Sequence, residues 1–476
     1  MKTWEDLQNA GNSMDFILLA INDYKQSRLY AEACIGYDYF KRRNTTILQY
    51  KKLLYRMSGE AVPDNFSANY KFCNGFFPIF VKQENSYLLG NGVTFNDDAT
   101  KDALGGDAFD KELYNAGEYA LWGAVSYLFF NLDHVDVFKA IEFVPLFGEE
   151  DGGLHAGIRF WQIADDKPLR ATLYEEDGYT EYIYRKGKGE VLQPKRAYKL
   201  IEVESVADGV EIIDGENYPN FPIVPLWANR EHQSELVGLR EKIDGYDLIQ
   251  SGLANDLDDA SQIYWTITNA GGMDDIDLAK FIERMKVVKA AVVDEQGSKA
   301  EAHTLDVPYQ ARQAGLQDLR DSLYRDAMAL DTDKVSAGNV TATAIESAYE
   351  ALDLKCDGYE YCVTEAVDAL LVLAGVEGDA PTYHRRKTTN QPEVTNMVLA
   401  ASQYLDDETV LKHLPFLNID EIDEILKRKD KEEADRYAQM EQELEDLKSQ
   451  NTDNNTNEGA DDGTEGQSQN TDGQQA

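Results

Sequence analysis

Cysteine is scarce: Cys34, Cys73, Cys356 and Cys362 are the only four in 476 residues. So few thiols in so long a chain do not make a disulfide framework. None stands in a Cys-x-x-Cys, which argues against a zinc ribbon and a thioredoxin-like pair. The expected setting is reducing and intracellular. Long hydrophobic runs are also lacking. The longest, at 16–21, 287–293 and 369–376, fall short of the roughly 20 residues that cross a bilayer. The opening Met1-Lys-Thr-Trp-Glu-Asp has no basic segment followed by an apolar one, so no secretory leader is expected. There are six histidines, and no two stand three or four apart, so a helical histidine metal site is not expected. No Gly-x-x-x-x-Gly-Lys-[Ser/Thr] is present; Gly187-Lys-Gly189 lacks both the spacing and the hydroxyl of a phosphate loop.

Positive charge is the other shortage. Lys and Arg number 46 against 87 Asp and Glu, a net charge of −41. This argues against tight binding to phosphates and against docking on an anionic membrane. Residues 451–476 hold six acids and no Lys or Arg, which leaves −35 on residues 1–450. That polar tail buries too little to offset its ordering entropy and is expected to be disordered. The chain as a whole is 43% hydrophobic, enough for a large core, and its length suits two to four domains.

Apolar residues recur three and four apart over 1–60, predicting helix through Leu53, Leu54 and Met57, with Phe16 and Leu19 on one side. Helix is also predicted over 109–130. Residues 137–225 switch to short β-branched and aromatic runs punctuated by Gly152-Gly153, Asp177-Gly178 and Asp208-Gly209, the pattern of an antiparallel sheet. The prolines that close this section, Pro219, Pro222 and Pro225, cannot join a central ladder.

A long helical stripe follows at Leu236, Leu239, Ile243, Tyr246, Ile249, Leu253 and Leu257, with Glu235, Glu241, Asp244, Asp247, Asp256 and Asp258 on its other face. A mixed segment at 263–308 contains the β-like run VVKAAVV. A second helix carries Leu316, Leu319, Leu323, Ala327 and Leu330. After the loop DTDKVSAGNV (331–340), Thr343-Ala-Ile-Glu346 has the form of a capping box. The third helix then keeps its stripe from Ile345 through Leu373, with Cys356 and Cys362 as buried small side chains. The class is α+β, and no internal repeat is found.

The acidic doublets Asp97-Asp98, Asp165-Asp166, Asp258-Asp259, Asp274-Asp275 and Asp406-Asp407 suit two readings. One is a solvated acidic face, expected by chance in so acidic a chain. The other is a cation-holding nuclease cluster. No catalytic, cofactor-binding or metal-ligating set emerges, and no cofactor is implied.

Several segments resemble the portal protein family of tailed double-stranded DNA bacteriophages, in the form common in phages of Gram-positive bacteria. Asn69-Tyr-Lys-Phe and YLLGNGVTF (87–95) are similar to the family's N-terminal element. KVSAGNVTATAIESAYEALDLKCDGYE (334–360), with Leu352-Asp-Leu-Lys355 as the Leu-x-x-Lys signature, is similar to its tunnel loop and tunnel helix. ASQYLDDETVLKHLPFLNIDEIDEILKRKDKE (401–432) is similar to its crown. Thr341-Ala342 stands where the family often has Ser-Gly. The likeness runs in order over about residues 30–435.

The resemblance implies a ring oligomer, usually a dodecamer, at one capsid vertex. DNA is packaged through its axis by the terminase and ejected through it. The parts implied are a wing at 1–230, a stem helix at 231–262, a clip at 263–308 and a second stem helix at 309–331. A tunnel loop at 332–340, a tunnel helix at 341–375, a wing return at 376–392, a crown at 393–440 and a polar tail at 441–476 complete it. Lys334, Val335, Ser336, Ala337, Gly338 and Asn339 are the implied tunnel-loop residues facing DNA, although Lys334 also reads as an ordinary solvated lysine. An acidic wall elsewhere would keep DNA hydrated near the axis. The implied partners are double-stranded DNA, the terminase large subunit, a head-tail adaptor, and the major capsid and scaffolding proteins, with no membrane. The implied location is the virion, and the host cytoplasm during assembly. The family is not enzymatic. The residues alone also leave open a non-ring acidic capsid or scaffold-binding protein, and a metal-dependent nucleic-acid enzyme.

Overall fold

Thr3 opens the first helix: its Oγ1 accepts from the Asp6 N–H, and the Asp6 carboxylate accepts from the Thr3 N–H. This reciprocal pair satisfies donors that a helix start leaves free. The computed structural model describes residues 1–11, 13–55, 59–64, 67–206, 209–260, 264–268, 299–303, 309–333, 342–385, 391–414, 422, 425–429, 431–432 and 434–441. Two units divide the chain: Met1–Gly338 with Glu346–Lys387, and Asn339–Ile345 with Thr388–Ala476.

The first unit begins with helices α1 (Trp4–Gln8), α2 (Ser13–Lys25), α3 (Arg28–Phe40) and α4 (Thr45–Gln49). Helix α2 buries Phe16, Ile17, Ala20, Ile21 and Tyr24, whereas Leu19 is exposed. The buried face is therefore turned away from the Phe16–Leu19 grouping expected from spacing. The helical expectation through Leu53 and Leu54 is overturned as well. Strands β1 (Leu53–Tyr55) and β2 (Ala61–Pro63) form an antiparallel hairpin there. Gly59, at φ 82°, supplies a backbone conformation that costs other residues more.

Helix α5 (Phe76–Leu89) is buried along most of its length, strand β3 (Val93–Thr94) follows, and helices α6 (Asp98–Ala103) and α7 (Asp107–Gly123) complete this layer. The helix expected to reach residue 130 stops at Gly123. Ala124 turns the chain at φ 73°, and β4 (Val125–Asn131) runs between β5 (His134–Lys139) and β13 (Ile223–Trp227). Its Val, Tyr and Phe side chains fit a central strand better than a helix.

Strands β6 (Phe143–Phe147), β7 (Leu154–Trp161), β8 (Leu169–Glu175), β9 (Gly178–Arg185) and β10 (Lys188–Arg196) form one antiparallel sheet in the order β10-β9-β8-β7-β6. Strands β11 (Lys199–Val206) and β12 (Gly209–Glu216) pair with each other. Prolines sit where a missing N–H does no harm. Pro145 lies on the edge strand β6, Pro194 on the edge strand β10, and Pro225 on β13, at the edge of the three-stranded sheet. Each can leave its nitrogen side unpaired. Helix α2 packs on the five-stranded sheet, with Ile17 and Ile21 buried together with Val144 and Ile158.

Helix α8 (Arg240–Ala260) starts four residues after Leu236, because residues 236–239 form turns. Strands β14 (Tyr264–Thr268) and β15 (Lys299–His303) pair, and helix α9 (Tyr309–Asp326) returns along α8. Lys242 pairs with Asp326 at one end and Asp256 with Arg312 at the other, which makes the two helices antiparallel. The run VVKAAVV and Gly271-Gly272 lie outside the described residues.

Helix α10 (Ala342–Ala374) carries the regular stripe. Tyr349, Leu352, Cys356, Tyr359, Val363 and Leu370 are buried. Cys362 is only half-buried, so the expectation of a buried thiol fails there. The helix already begins at Ala342, so Thr343 lies in its first turn and not at the cap. Gly375, at φ 75°, ends it. Strand β16 (Thr382–Tyr383) then pairs with β3.

The second unit includes α11 (Gln391–Ala401) and α12 (Asp407–Lys412). Asp406 caps α12 by accepting from the Thr409 N–H. Asp97 caps α6 in the same way, accepting from Ala99. Two acidic doublets are thus helix caps. Asp274-Asp275 and the tail at 451–476 fall outside the described residues.

Candidate functional site

The best-placed polar cluster sits where α5, α10 and the chain entering α8 meet. Lys355 projects from α10 with its Nζ 2.7 Å from Glu84 Oε2 on α5 and 2.7 Å from Glu235 Oε2. The Glu84 side chain is 2% exposed and that of Lys355 is 14% exposed. Burial pushes the Glu84 carboxyl up to about 7; Lys355 opposes that rise and the charge of Glu235 adds to it. On Lys355, desolvation acts downward, yet the two carboxylates prevail and raise its pKa. Lys355 therefore remains charged. A cleft of about 360 Å³, lined by Arg230, Tyr361 and this triad, opens beside it.

One turn along α10, the Tyr359 hydroxyl donates to Asn85 Oδ1 at 3.0 Å, and Asn85 Nδ2 donates to the Tyr114 carbonyl at 2.8 Å. Gly117 on α7 makes the approach possible. A Cβ there would stand 2.2 Å from both Asn85 Oδ1 and the Tyr359 hydroxyl.

The other side of α10 is clamped by the returning chain. Arg385 Nη1 donates to Asp353 Oδ1 at 3.2 Å, and its Nη2 reaches Asp357 and Glu360. These acids stand four and three residues apart, so they share one helix face. The Tyr87 hydroxyl donates to the same Asp353 carboxylate. Asp379 accepts from the Thr100 hydroxyl and from the N–H groups of Asn96, Asp97 and Ala380. Desolvation would raise its pKa, but these bonds prevail and hold it at about 2.

A second junction fixes the extended segment at 70–74 to α8. The N–H groups of Tyr70, Phe72 and Asn74 donate to the side chains of Asn255, Ser251 and Asp247, at 2.7, 3.0 and 3.0 Å. Two residues of extended chain span about 6.6 Å, and four residues of helix rise about 6 Å, so the two repeats keep step. The acidic side of α8 is thus partly an internal docking face: Asp247 is buried.

The tunnel-loop residues expected to face DNA, Lys334, Val335, Ser336, Ala337, Gly338 and Asn339, lie outside the described residues. The chain leading to them is held firmly. Leu330 donates its N–H to Gln83 Oε1 at 2.9 Å, and Gln83 Nε2 donates to the Leu330 carbonyl at 3.0 Å. Arg320 reaches Asp331 and Asp333 at 3.0 and 2.6 Å. Among the described residues, no three His, Cys, Asp or Glu side chains are grouped to hold a metal. No helix among them is long and apolar enough to cross a membrane.

The family profile described as "Phage portal protein, SPP1 Gp6-like" matches residues 26–435. The chain belongs to this phage portal protein family. It is 24% identical over 390 residues to the portal protein of Clostridium phage phiCD119, covering 75% of this chain and 84% of that protein. It is also 24% identical over 431 residues to the portal protein of Bacillus phage SPP1, covering 82% and 81%. The family is structural, and phage portal proteins are components of the virion.

The segments that resembled portal proteins have clear physical tasks in this portal chain. Lys355, of the Leu-x-x-Lys signature, is the buried centre of the triad. In YLLGNGVTF, Gly92 adopts φ 75°, and a Cβ there would stand 2.5 Å from Asp110 Oδ2. Val93 donates to Asp110 at 3.0 Å, and Asn91 donates to the His384 carbonyl at 2.9 Å. Sequence reasoning missed Glu84, Asn85 and Asp379, and placed Glu235 only on the acidic face of the stripe, not beside Lys355. For Glu84 a signal existed: a carboxylate on a helix whose neighbours Phe80, Val81 and Leu88 are apolar. Asp247, Ser251 and Asn255 are a polar series at four-residue spacing, which also could have been noticed.

Proposed function

We propose that copies of this chain assemble into a ring at one capsid vertex, with twelve subunits as the expected number. The family match over residues 26–435 carries this reading. Double-stranded DNA would be driven in through the axis by the terminase large subunit and would later leave by the same path. A head-tail adaptor would dock afterwards, and the major capsid and scaffolding proteins would meet the ring during assembly in the host cytoplasm.

In this reading residues 1–230 and 376–392 form the wing, and residues 231–262 and 309–331 the stem. Residues 263–308 form the clip, 341–375 the tunnel helix and 393–440 the crown. The antiparallel pair α8 and α9, with paired strands between them in sequence, supports a stem that runs out to a clip and returns. Lys334, Ser336 and Gly338 of the tunnel loop at 332–340 would face DNA. A ring of lysines offers phosphates many equivalent contacts, while an acidic wall limits sticking. The bonds that fix Leu330 to Gln83 support a loop anchored at its N-terminal base.

Negative-stain imaging with light scattering tests the ring. The expected result is a particle with a central hole and a mass of about twelve times 53.6 kDa. Particles of one subunit's mass would overturn it.

A further inference from the structure

Residues 41–82 hold eight Lys and Arg against two acids, a net +6 within a chain of −41. Lys41, Arg42, Arg43, Lys51 and Lys82 are all exposed, and none joins an ion pair among the described residues. Lys41 and Lys82 lie 5.5 and 5.9 Å from the same Phe40 ring, so the end of α3 and the surface of α5 bring their cations together, with the half-buried Glu118 of α7 as the one acid facing both. The same stretch of chain also exposes apolar side chains: Leu48, Tyr50, Leu53 and Ile79 are each more than 40% exposed.

Helix α10 offers the opposite composition. Glu346, Glu350, Leu354, Tyr361, Glu365 and Asp368 are exposed, and their spacing of 4, 4, 7, 4 and 3 puts them on one face. Leu354 and Tyr361 are 66% and 63% exposed; Arg230 stands over the Tyr361 ring at 4.9 Å, a single cation among four acids. None of the four acids forms an ion pair among the described residues. Exposed apolar groups amid charge are the usual anatomy of an interface.

We propose that the acidic and apolar face of α10 on one copy docks on the surface that Lys41, Arg42, Arg43, Lys51 and Lys82 present on the next. This rests on the ring reading above and names what holds the ring. Copies that each carry −41 repel one another overall, so their association needs local attraction. Two different patches that complement each other make a head-to-tail contact, which closes into a ring when the rotation allows. The acidic face of α10 would repel a phosphate backbone, which favours a second copy as its occupant.

The test uses the full chain and light scattering. Arg43→Glu with Lys51→Glu, and separately Glu350→Lys with Asp368→Lys, should each raise the concentration needed for assembly about tenfold or more. Mixing the two variants joins reversed surfaces and should restore mixed assemblies. Circular dichroism melts matching the wild type show that each variant is folded. Raising salt from about 0.1 to 0.5 M should weaken wild-type assembly. If the wild type assembles and both reversals assemble as well, the interface is overturned and the ring stands. If the wild type stays at one subunit's mass, the ring fails and the interface with it. If the 41–82 reversal leaves assembly intact but abolishes binding of a short DNA duplex, the basic surface is a phosphate site and the proposal is overturned.

Discussion

Lys355 Nζ stands 2.7 Å from Glu84 Oε2, joining the middle of α10 to α5 inside the protein. Glu235 completes the group at the same distance. Lys355 is thus a tie between three chain segments. Replacing it by Met would leave two carboxylates without a cation. Lys355→Met should cost about 3–5 kcal/mol near pH 8, measured by urea unfolding. A loss below about 1 kcal/mol would show that the triad carries no such role.

The pH dependence of stability should carry the mark of Glu84. Its folded pKa is raised from 4.5 to about 7 by burial, so between those values the folded state holds a proton that the unfolded state has released. The contribution is fully present below pH 4.5 and falls as pH rises through about 7. In Glu84→Gln that slope should disappear, with urea midpoints compared from pH 5 to 7.5. An unchanged slope would assign the effect to another group.

Gly117 is the contact point of α7 with Asn85 and Tyr359. Gly117→Ala should destabilise by about 1–3 kcal/mol through overpacking, less any gain in helix propensity. A Cβ added at Gly358 on α10 would meet no atom within 4 Å, so Gly358→Ala should be neutral or mildly stabilising. Equal thermal shifts for the two variants would refute the steric account.

The tunnel-loop assignment predicts a separation of assembly from DNA handling. Lys334→Ala, or shortening 334–339, should leave rings formed but impair packaging or retention of DNA. Normal genome packaging in such phage variants would remove the loop from its proposed role.

How far the sequence could be read depended on the range of the interactions. The stripe of α10 was readable because a period of three and four residues reports which face meets a core. The strands after residue 137 were readable from short β-branched and aromatic runs, with turns marked by Gly and Asp. The hairpin at 53–63 was not, because three-residue strands are too short to show a period. The end of α7 was missed because Val125 to Phe130 is apolar but for Ser126, a pattern that suits a buried strand or a buried helix. The meeting of Glu84 and Glu235 was missed because nothing local says that two distant carboxylates share a lysine.

The sequence by itself determined the α+β class, the three long helical segments and their order, and the acidic charge that any DNA path must accommodate. These follow from local periodicity and composition, which need no knowledge of distant contacts. Only the tertiary structure decided that Lys355 is buried between two glutamates, that Asp247, Ser251 and Asn255 hold the chain at 70–74, and that Arg385 clamps α10. Each depends on side chains brought together from remote parts of the chain. Desolvation in that packed interior, not the residue types alone, sets their charge and their worth.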